Sequence, residues 1–415
     1  MNFNNTAAKN FGRFSVLALA VLLAGCGGGN GGTIETPSGP VNNVQPVSAN
    51  QGPANNFVNG LFTSVTVCVP GTTNCQTIPN VEIDTGSEGL RLLASAVTLP
   101  LPAVTDTGSS SGNQLQECVQ FADGSYVWGP IVFADIKMAG EVGPGNPVQL
   151  IPNPSQFAVP SNCASGGGPS LNTLTALGAN GIIGLGVFQQ DCGISCSSSS
   201  TQVPALYYLC DGVCQVATVP LLTQMQNPVW TFAQDNNGLL ITLPAVPELG
   251  AVSVDGSMIF GIGTQSNNTF GTAKAYTTDD VGNFKTTYNN TEYNQSFIDS
   301  GSNGLYMVDA ATLGNGIADC TDSSLAGFYC PATTVNLAAT NTGLNGNFGL
   351  VNFRIANTNV LLTANNSSNW VFDDLGGTNP GGFDWGLPFF FGRTVYIGIE
   401  GQTGPGGAVG PYWAY

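Results

Sequence analysis

Ile83-Asp84-Thr85-Gly86-Ser87-Glu88-Gly89-Leu90 recurs 215 positions downstream as Ile298-Asp299-Ser300-Gly301-Ser302-Asn303-Gly304-Leu305. Both copies read apolar residue, Asp, hydroxyl residue, Gly, Ser, one variable residue, Gly, Leu. The likeness continues, with RLLASAVTL at 91–99 and YMVDAATL, one residue shorter, at 306–313. A chain that repeats a carboxylate in one frame is expected to form two related lobes, each contributing one Asp. Two carboxylates brought face to face cannot both ionise freely, so they share a proton and act together as acid and base. One Asp-Thr-Gly-Ser alone is a weak signal, because an Asp after a strand commonly caps local N–H groups in an Asx-turn. Asp106-Thr107-Gly108-Ser109 is such a decoy: it lacks the preceding strand and the Gly-Leu continuation, and it reads as a surface turn. The matched flanks set Asp84 and Asp299 apart from it.

Composition narrows the chemistry. The chain has no histidine. No Ser-His-Asp or Cys-His nucleophile arrangement and no His-ligated zinc site can therefore form. Hydrolytic chemistry here must rest on carboxylates, Lys, Tyr, or a metal held by oxygen; no metal and no cofactor is expected. With 8 Lys and Arg against 25 Asp and Glu, the net charge is −17, which leaves no phosphate-binding footprint and argues against nucleic acid. Short apolar or alternating runs separated by many of the 56 Gly and 25 Pro predict a mainly β protein with tight turns. Strands are expected near 61–69, 125–138, 239–243, 257–262 and 394–399, with a last one near 412–415. Short helices are expected at 90–97, 219–226 and 308–313, and loops or insertions at 100–118 and 143–180.

At the N-terminus, Lys9 and Arg13 precede the apolar run Phe14 to Leu23, too short to span a membrane in this setting. Leu23-Ala24-Gly25-Cys26 resembles the bacterial lipobox, which implies a signal peptide at 1–25 and lipidation of Cys26. Gly27 rather than Asp follows, which in such lipoproteins points to the outer membrane. The expected location is thus the cell envelope, lipid-anchored, with the membrane face unassigned; an ordinary secretory signal with a chance Cys is the alternative. Residues 26–55, rich in Gly, Pro and Asn, read as a flexible tether. A first lobe is expected at 56–245 and a second at 250–415.

Besides Cys26 there are ten cysteines, an even number suited to an oxidising compartment. Very many pairings are open. The simplest joins Cys68 to Cys75, Cys192 to Cys196, Cys210 to Cys214 and Cys320 to Cys330, leaving Cys118 with Cys163. Metal binding without a His is the alternative.

Over most of 57–415 the chain resembles the pepsin-like, two-lobed aspartic peptidases. Asp84-Thr85-Gly86-Ser87 and Asp299-Ser300-Gly301-Ser302 are similar to the two catalytic loops of that family. Gly181-Ile182-Ile183-Gly184-Leu185-Gly186 and Trp385-Gly386-Leu387-Pro388-Phe389-Phe390-Phe391 resemble the segments packed beneath them. Phe121-Ala122-Asp123-Gly124-Ser125, with Tyr126 and Gly129 following, resembles the flap hairpin that closes over substrate. Pro228 to Phe232 and Ser257 to Gly261 resemble strands that end the first lobe and open the second. The resemblance implies two related, six-stranded-type β lobes with a cleft between them, in a monomer. It also implies a peptidase in which Asp84 and Asp299 grip one water. Thr85 and Ser300 would carry a hydroxyl network across the lobes, and Ser87 and Ser302 would bond the outer carboxylate oxygens. Gly86 and Gly301 would permit close backbone approach.

Three positions depart from the pattern. Phe121 stands where active relatives carry a flap Tyr, with Tyr126 and Trp128 nearby as replacements; Glu88 adds a charge beside Asp84; Arg91 stands where a large apolar residue usually supports the flap. The expected function is a membrane-anchored aspartic endopeptidase acting on peptides or polypeptides. The alternatives are a binding module of the same fold that recognises peptide or polysaccharide, a carboxylate-pair glycosidase, and a structural surface protein.

Overall fold

Strand signals dominate the chain, and strands are what form. The computed structural model describes residues 42–105, 113–197, 203–364 and 368–415. Within them lie 22 strands, while the α-helices, such as Leu174–Leu177 and Ala310–Leu313, are single turns. Alternation sets the strand faces: in Phe284–Tyr288 every second residue is buried. Single-turn helices are stabilised at their ends, where Thr173 accepts from Ala176 N and Asp309 from Thr312 N. The signal peptide, Cys26, the tether as far as 41 and the turn at 106–109 lie outside the described residues.

The strands make one fifteen-stranded and one seven-stranded sheet, and the fold is mainly β with two related halves. The seven-stranded sheet is built from the second half, 284–385. The larger sheet holds the first half and runs on through Val254–Phe260, Gly238–Leu243, Arg393–Gly398 and Tyr412–Ala414. Gly238–Leu243 pairs with Val254–Phe260 on one side and with Arg393–Gly398 on the other, so shared strands cross the expected boundary at 245–250. The main core is continuous from Val47 and Ile83 to Ile298 and Trp385.

Several expectations need correction. Val44–Asn50 is not tether but a strand, paired with both Val254–Phe260 and Gly60–Cys68. Its Val47 and Ala49 alternate inward, and Gln45 bonds Thr63 and Ser64, so a polar-looking segment has every reason to order. The helix expected at 90–97 is the strand Glu88–Leu93 followed by one 3-10 turn. Only Leu221–Thr223 is helical, as 3-10, within 219–226. Pro228–Thr231 is a 3-10 turn rather than a strand, because Pro228 opens it and Asn227 accepts from Val229 N. The expected loops hold the strands Gln114–Gln120 and Glu141–Ile151. Five disulfides join Cys68–Cys75, Cys118–Cys163, Cys192–Cys196, Cys210–Cys214 and Cys320–Cys330, the neighbour-wise set.

Candidate active site

The two repeated loops leave equivalent strands. Cys75–Asp84 delivers Asp84, and Thr291–Ile298 ends one residue before Asp299. Beneath the first loop Gly181–Leu185 runs parallel to Cys75–Asp84, with Ile83 opposite Ile183, and antiparallel to Glu88–Leu93. Beneath the second, Asp384–Trp385 runs parallel to Thr291–Ile298, with Ile298 opposite Trp385, and antiparallel to Leu305–Met307. Each half thus threads its loop between the same kinds of neighbour, which fixes where each Asp points.

The loops then meet. Thr85 N donates to Ser300 Oγ at 3.2 Å, and Ser300 N donates to Thr85 Oγ1 at 2.9 Å. Ser300 Oγ donates to Ile83 O at 2.7 Å, and Thr85 Oγ1 to Ile298 O at 3.4 Å. Gly86 N and Gly301 N each donate, at 2.8 Å, to the Oδ1 of Asp84 and Asp299 respectively. Ser87 Oγ donates to Asp84 Oδ2 at 2.5 Å, and Ser302 Oγ lies 3.1 Å from Asp299 Oδ2. Every bond has its counterpart under exchange of the two repeats, so the loops are related by a local twofold axis. The Asp84 carboxyl acts directly on that of Asp299. A Cβ at Gly86 would lie 2.6 Å from Asp299 Oδ2, and one at Gly301 would lie 2.8 Å from Asp84 Oδ1, so glycine is what lets the halves close to this distance. Gly86 is exposed and Ser87, Asp299, Gly301 and Ser302 are partly so, which leaves the pair open to solvent.

The carboxyls around the pair are largely buried. Glu82, Asp84, Glu88 and Asp384 are only 6%, 8%, 8% and 7% exposed. Burial, followed by the Asp84 and Asp384 carboxyls, pushes the Asp299 pKa well up. Glu82 is pushed well up by burial and by Asp84. Glu88 does not reach into solvent: burial and Asp84 raise it to about 8 against the opposing Phe188 N–H and Arg91. Asp384, whose carboxyl has its one hydrogen bond among the described residues with Ser302, is pushed up to about 8, chiefly by burial and then by Asp84. Sequence reasoning missed Glu82 and Asp384 as part of this site.

Phe121 to Ser125 forms a hairpin turn, with Phe121 N donating to Ser125 O and Gly124 N to Phe121 O. Gly124 adopts φ +83° there, and Asp123 Oδ1 accepts from Ser125 N and Oγ. Phe121 packs against the apolar cluster of Phe62, Leu93 and Ile182. Tyr126 and Trp128 pack in the cluster around Cys118 and Cys163. A different phenol stands close: Tyr306, whose hydroxyl donates to Asn303 Oδ1 at 2.5 Å and whose pKa is raised by burial, then Asp384, then Asp123 of the hairpin. Its register position, directly across from Asp384, is the signal that would have found it.

Arg91 stands behind the first loop, 2% exposed, donating to Glu88 O and to Glu117 Oε1 at 2.7 Å, with Asp191 Oδ2 at 3.6 Å. Tyr207 hydroxyl donates to Asp191 Oδ1 at 2.6 Å, and burial, then Glu117, pushes the Asp191 carboxyl well up. Among the described residues, no three His, Cys, Asp or Glu side chains are arranged to hold a metal ion.

No curated relative matches the sequence. Among solved structures, the chain is similar to the aspartic proteinase from Irpex lacteus, at a TM-score of 0.48 and 14% identity, over 89% of this chain and 96% of that one. Residues 39–415 match the family described as "Protein of unknown function (DUF3443)", and the chain belongs to that family.

Proposed function

We propose that the chain is an aspartic-type endopeptidase that hydrolyses peptide bonds with a water held between Asp84 and Asp299. The observation that carries this reading is the twofold-related set of hydrogen bonds that brings those two carboxyls together and orients all four oxygens. One carboxylate takes a proton from the attacking water; its partner gives a proton to the carbonyl oxygen of the scissile bond. The pair shares one proton, and the member that carries it is the donor. The resulting diol collapses as the proton taken from water passes to the leaving nitrogen and the diol returns one to the carboxylate that donated. No covalent intermediate is needed, consistent with the absence of His. The hairpin at 121–125 would cover an extended peptide lying across the pair.

The test is incubation of the folded domain with a mixed peptide library from about pH 3 to about pH 8, beside Asp84→Asn and Asp299→Asn. Cleavage abolished in both variants is expected; intact peptides at every pH remove the reading. A peptide- or polysaccharide-binding module is the second reading, favoured by Phe121, which places an apolar ring rather than a hydroxyl on the hairpin. It predicts that cleft ligands bind without turnover. We also place the protein on the outer membrane through a lipid at Cys26; metabolic labelling with a fatty acid, lost in Cys26→Ala, is the expected result, and labelling retained in that variant would overturn it.

A further inference from the structure

We propose that Asp384 is held as the neutral acid and donates its proton to Ser302 Oγ, which commits the Ser302 hydrogen to the outer oxygen of Asp299. The inference begins with a count of hydrogens. Ser302 Oγ lies 2.6 Å from Asp384 Oδ2 and 3.1 Å from Asp299 Oδ2. A hydroxyl has one hydrogen, and an ionised carboxylate has none. Two carboxylates cannot both accept from Ser302, so one of the two contacts must be made by a carboxylic acid. Asp299 Oδ1 accepts the Gly301 N–H and its Oδ2 faces Ser302, so both of its oxygens are placed as acceptors, whichever member of the dyad carries the shared proton. Asp384 accepts no backbone N–H, forms no ion pair among the described residues, and leaves its Oδ1 buried without a hydrogen-bond partner. A charge there would be stranded, whereas a neutral acid is tolerated.

The first half offers a control within the same molecule. Ser87 Oγ bonds Asp84 Oδ2, as Ser302 bonds Asp299. The strand registers place Ile182 opposite Glu82 and Asp384 opposite Phe297, so the position that carries Asp384 in the second half carries Ile182 in the first. One loop therefore has a proton behind its Ser and the other does not. The local twofold symmetry is broken at the second layer, and the two dyad carboxyls cannot be equivalent.

Asp384 is a positioning residue, acting on the dyad through Ser302. The titratable groups that face it are Asp299 and Asp84 of the dyad and the phenol of Tyr306 across the strand pair, itself facing Asp123. When Asp384 loses its proton, Ser302 turns its hydrogen to the nearer carboxylate, and Asp299 loses its outer donor while gaining a negative neighbour. This limits the alkaline end of the activity range. The consequence for turnover rests on the peptidase reading; the protonation of Asp384 does not, and it can be measured without substrate.

The experiment is a pH titration by NMR of the protein carrying 13C in its Asp side-chain carboxyls, in wild type, Asp384→Asn and Asp384→Leu. One Asp resonance is expected to titrate near 8 and to vanish in both variants. In Asp384→Asn the amide N–H still donates to Ser302, so the remaining dyad titration stays near wild type. In Asp384→Leu, which copies Ile182, it moves by about one pH unit or more. In the pH profile of peptide cleavage, Asp384→Asn extends the alkaline limb. Should Asp384→Asn not fold, Ser302→Ala keeps the buried carboxyl, and its resonance is expected to stay far above the ordinary carboxylate range because burial is the largest cause. An Asp384 resonance that titrates with ordinary carboxylates, or identical dyad titrations in the Asn and Leu variants, overturns the proposal. Failure of wild type to cleave any peptide, with the titration as expected, overturns the peptidase reading alone.

Discussion

A methyl group is enough to probe the site at the scale of single residues. At Gly86 it would stand 2.6 Å from Asp299 Oδ2, well inside contact distance, although the backbone there needs no left-handed conformation. Gly86→Ala should therefore fold with nearly unchanged stability but with the carboxyls pushed apart. Displacements of this size cost about a hundredfold in rate, to be read as kcat/KM beside a thermal melt. A large fall in melting temperature with normal turnover per folded molecule would contradict it. Thr85 and Ser300 differ in kind, since each hydroxyl bonds the opposite loop twice, as donor and as acceptor. Thr85→Val and Ser300→Ala should each cost about 1–3 kcal/mol, because a buried N–H or carbonyl is left unpaired. The double variant should cost less than the sum, since the bonds each change removes are neighbours in the one junction between the loops. Strict additivity in denaturant unfolding would mean that the two hydroxyls do not form one network.

The same residues show what was legible at the scale of elements. Asp84, Asp299 and their Thr, Gly and Ser neighbours could be read directly, because a covalent repeat forces equivalent backbone paths and hence a symmetric meeting. Asp384 could not: in Phe383-Asp384-Trp385-Gly386-Leu387 it looks like a polar interruption of a core segment, and only the pairing of strands brings it under Ser302. Val44–Asn50 escaped because it carries only two inward apolar side chains, and its order comes from two neighbouring strands rather than from its own composition. Glu88–Leu93 read as a helix because every residue in it is buried, so the strand alternation is erased. Arg91 within that strand is the extreme case, explained only by Glu117 and Asp191 on distant segments. Arg91→Met should cost about 3–5 kcal/mol by stranding Glu117, and adding Glu117→Gln should recover much of it. Equal losses in the single and double variants, measured by chemical denaturation, would show that the pair is not what stabilises this strand.

For the whole molecule, the distribution of charge matters more than its total. Glu88 and Asp384 keep their protons in the folded chain up to about 8, against ordinary values of 4.5 and 3.8 once unfolded. Glu82 and Asp299 are raised in the same direction. Between those limits the folded state binds more protons than the unfolded state, so stability falls as pH rises. The loss is about 1.4 kcal/mol per pH unit for each group while it lies between its two values. Asp309 and Asp322 act oppositely: their N-cap bonds lower them, and what they contribute is lost only as pH falls below the ordinary carboxylate range. The carboxyls of the site thus give a protein that is most stable in mild acid, the range in which a proton-sharing dyad is also competent. Melting temperature should peak near pH 4–5 and decline steadily toward pH 8. Glu88→Gln and Asp384→Asn should each flatten that decline, because an amide has no proton to lose, while leaving the fall below pH 4 in place. A melting temperature that rises from pH 5 to pH 8 in wild type would mean that these carboxyls are ionised in the folded chain. The buried carboxyls around the dyad would then be solvated in solution.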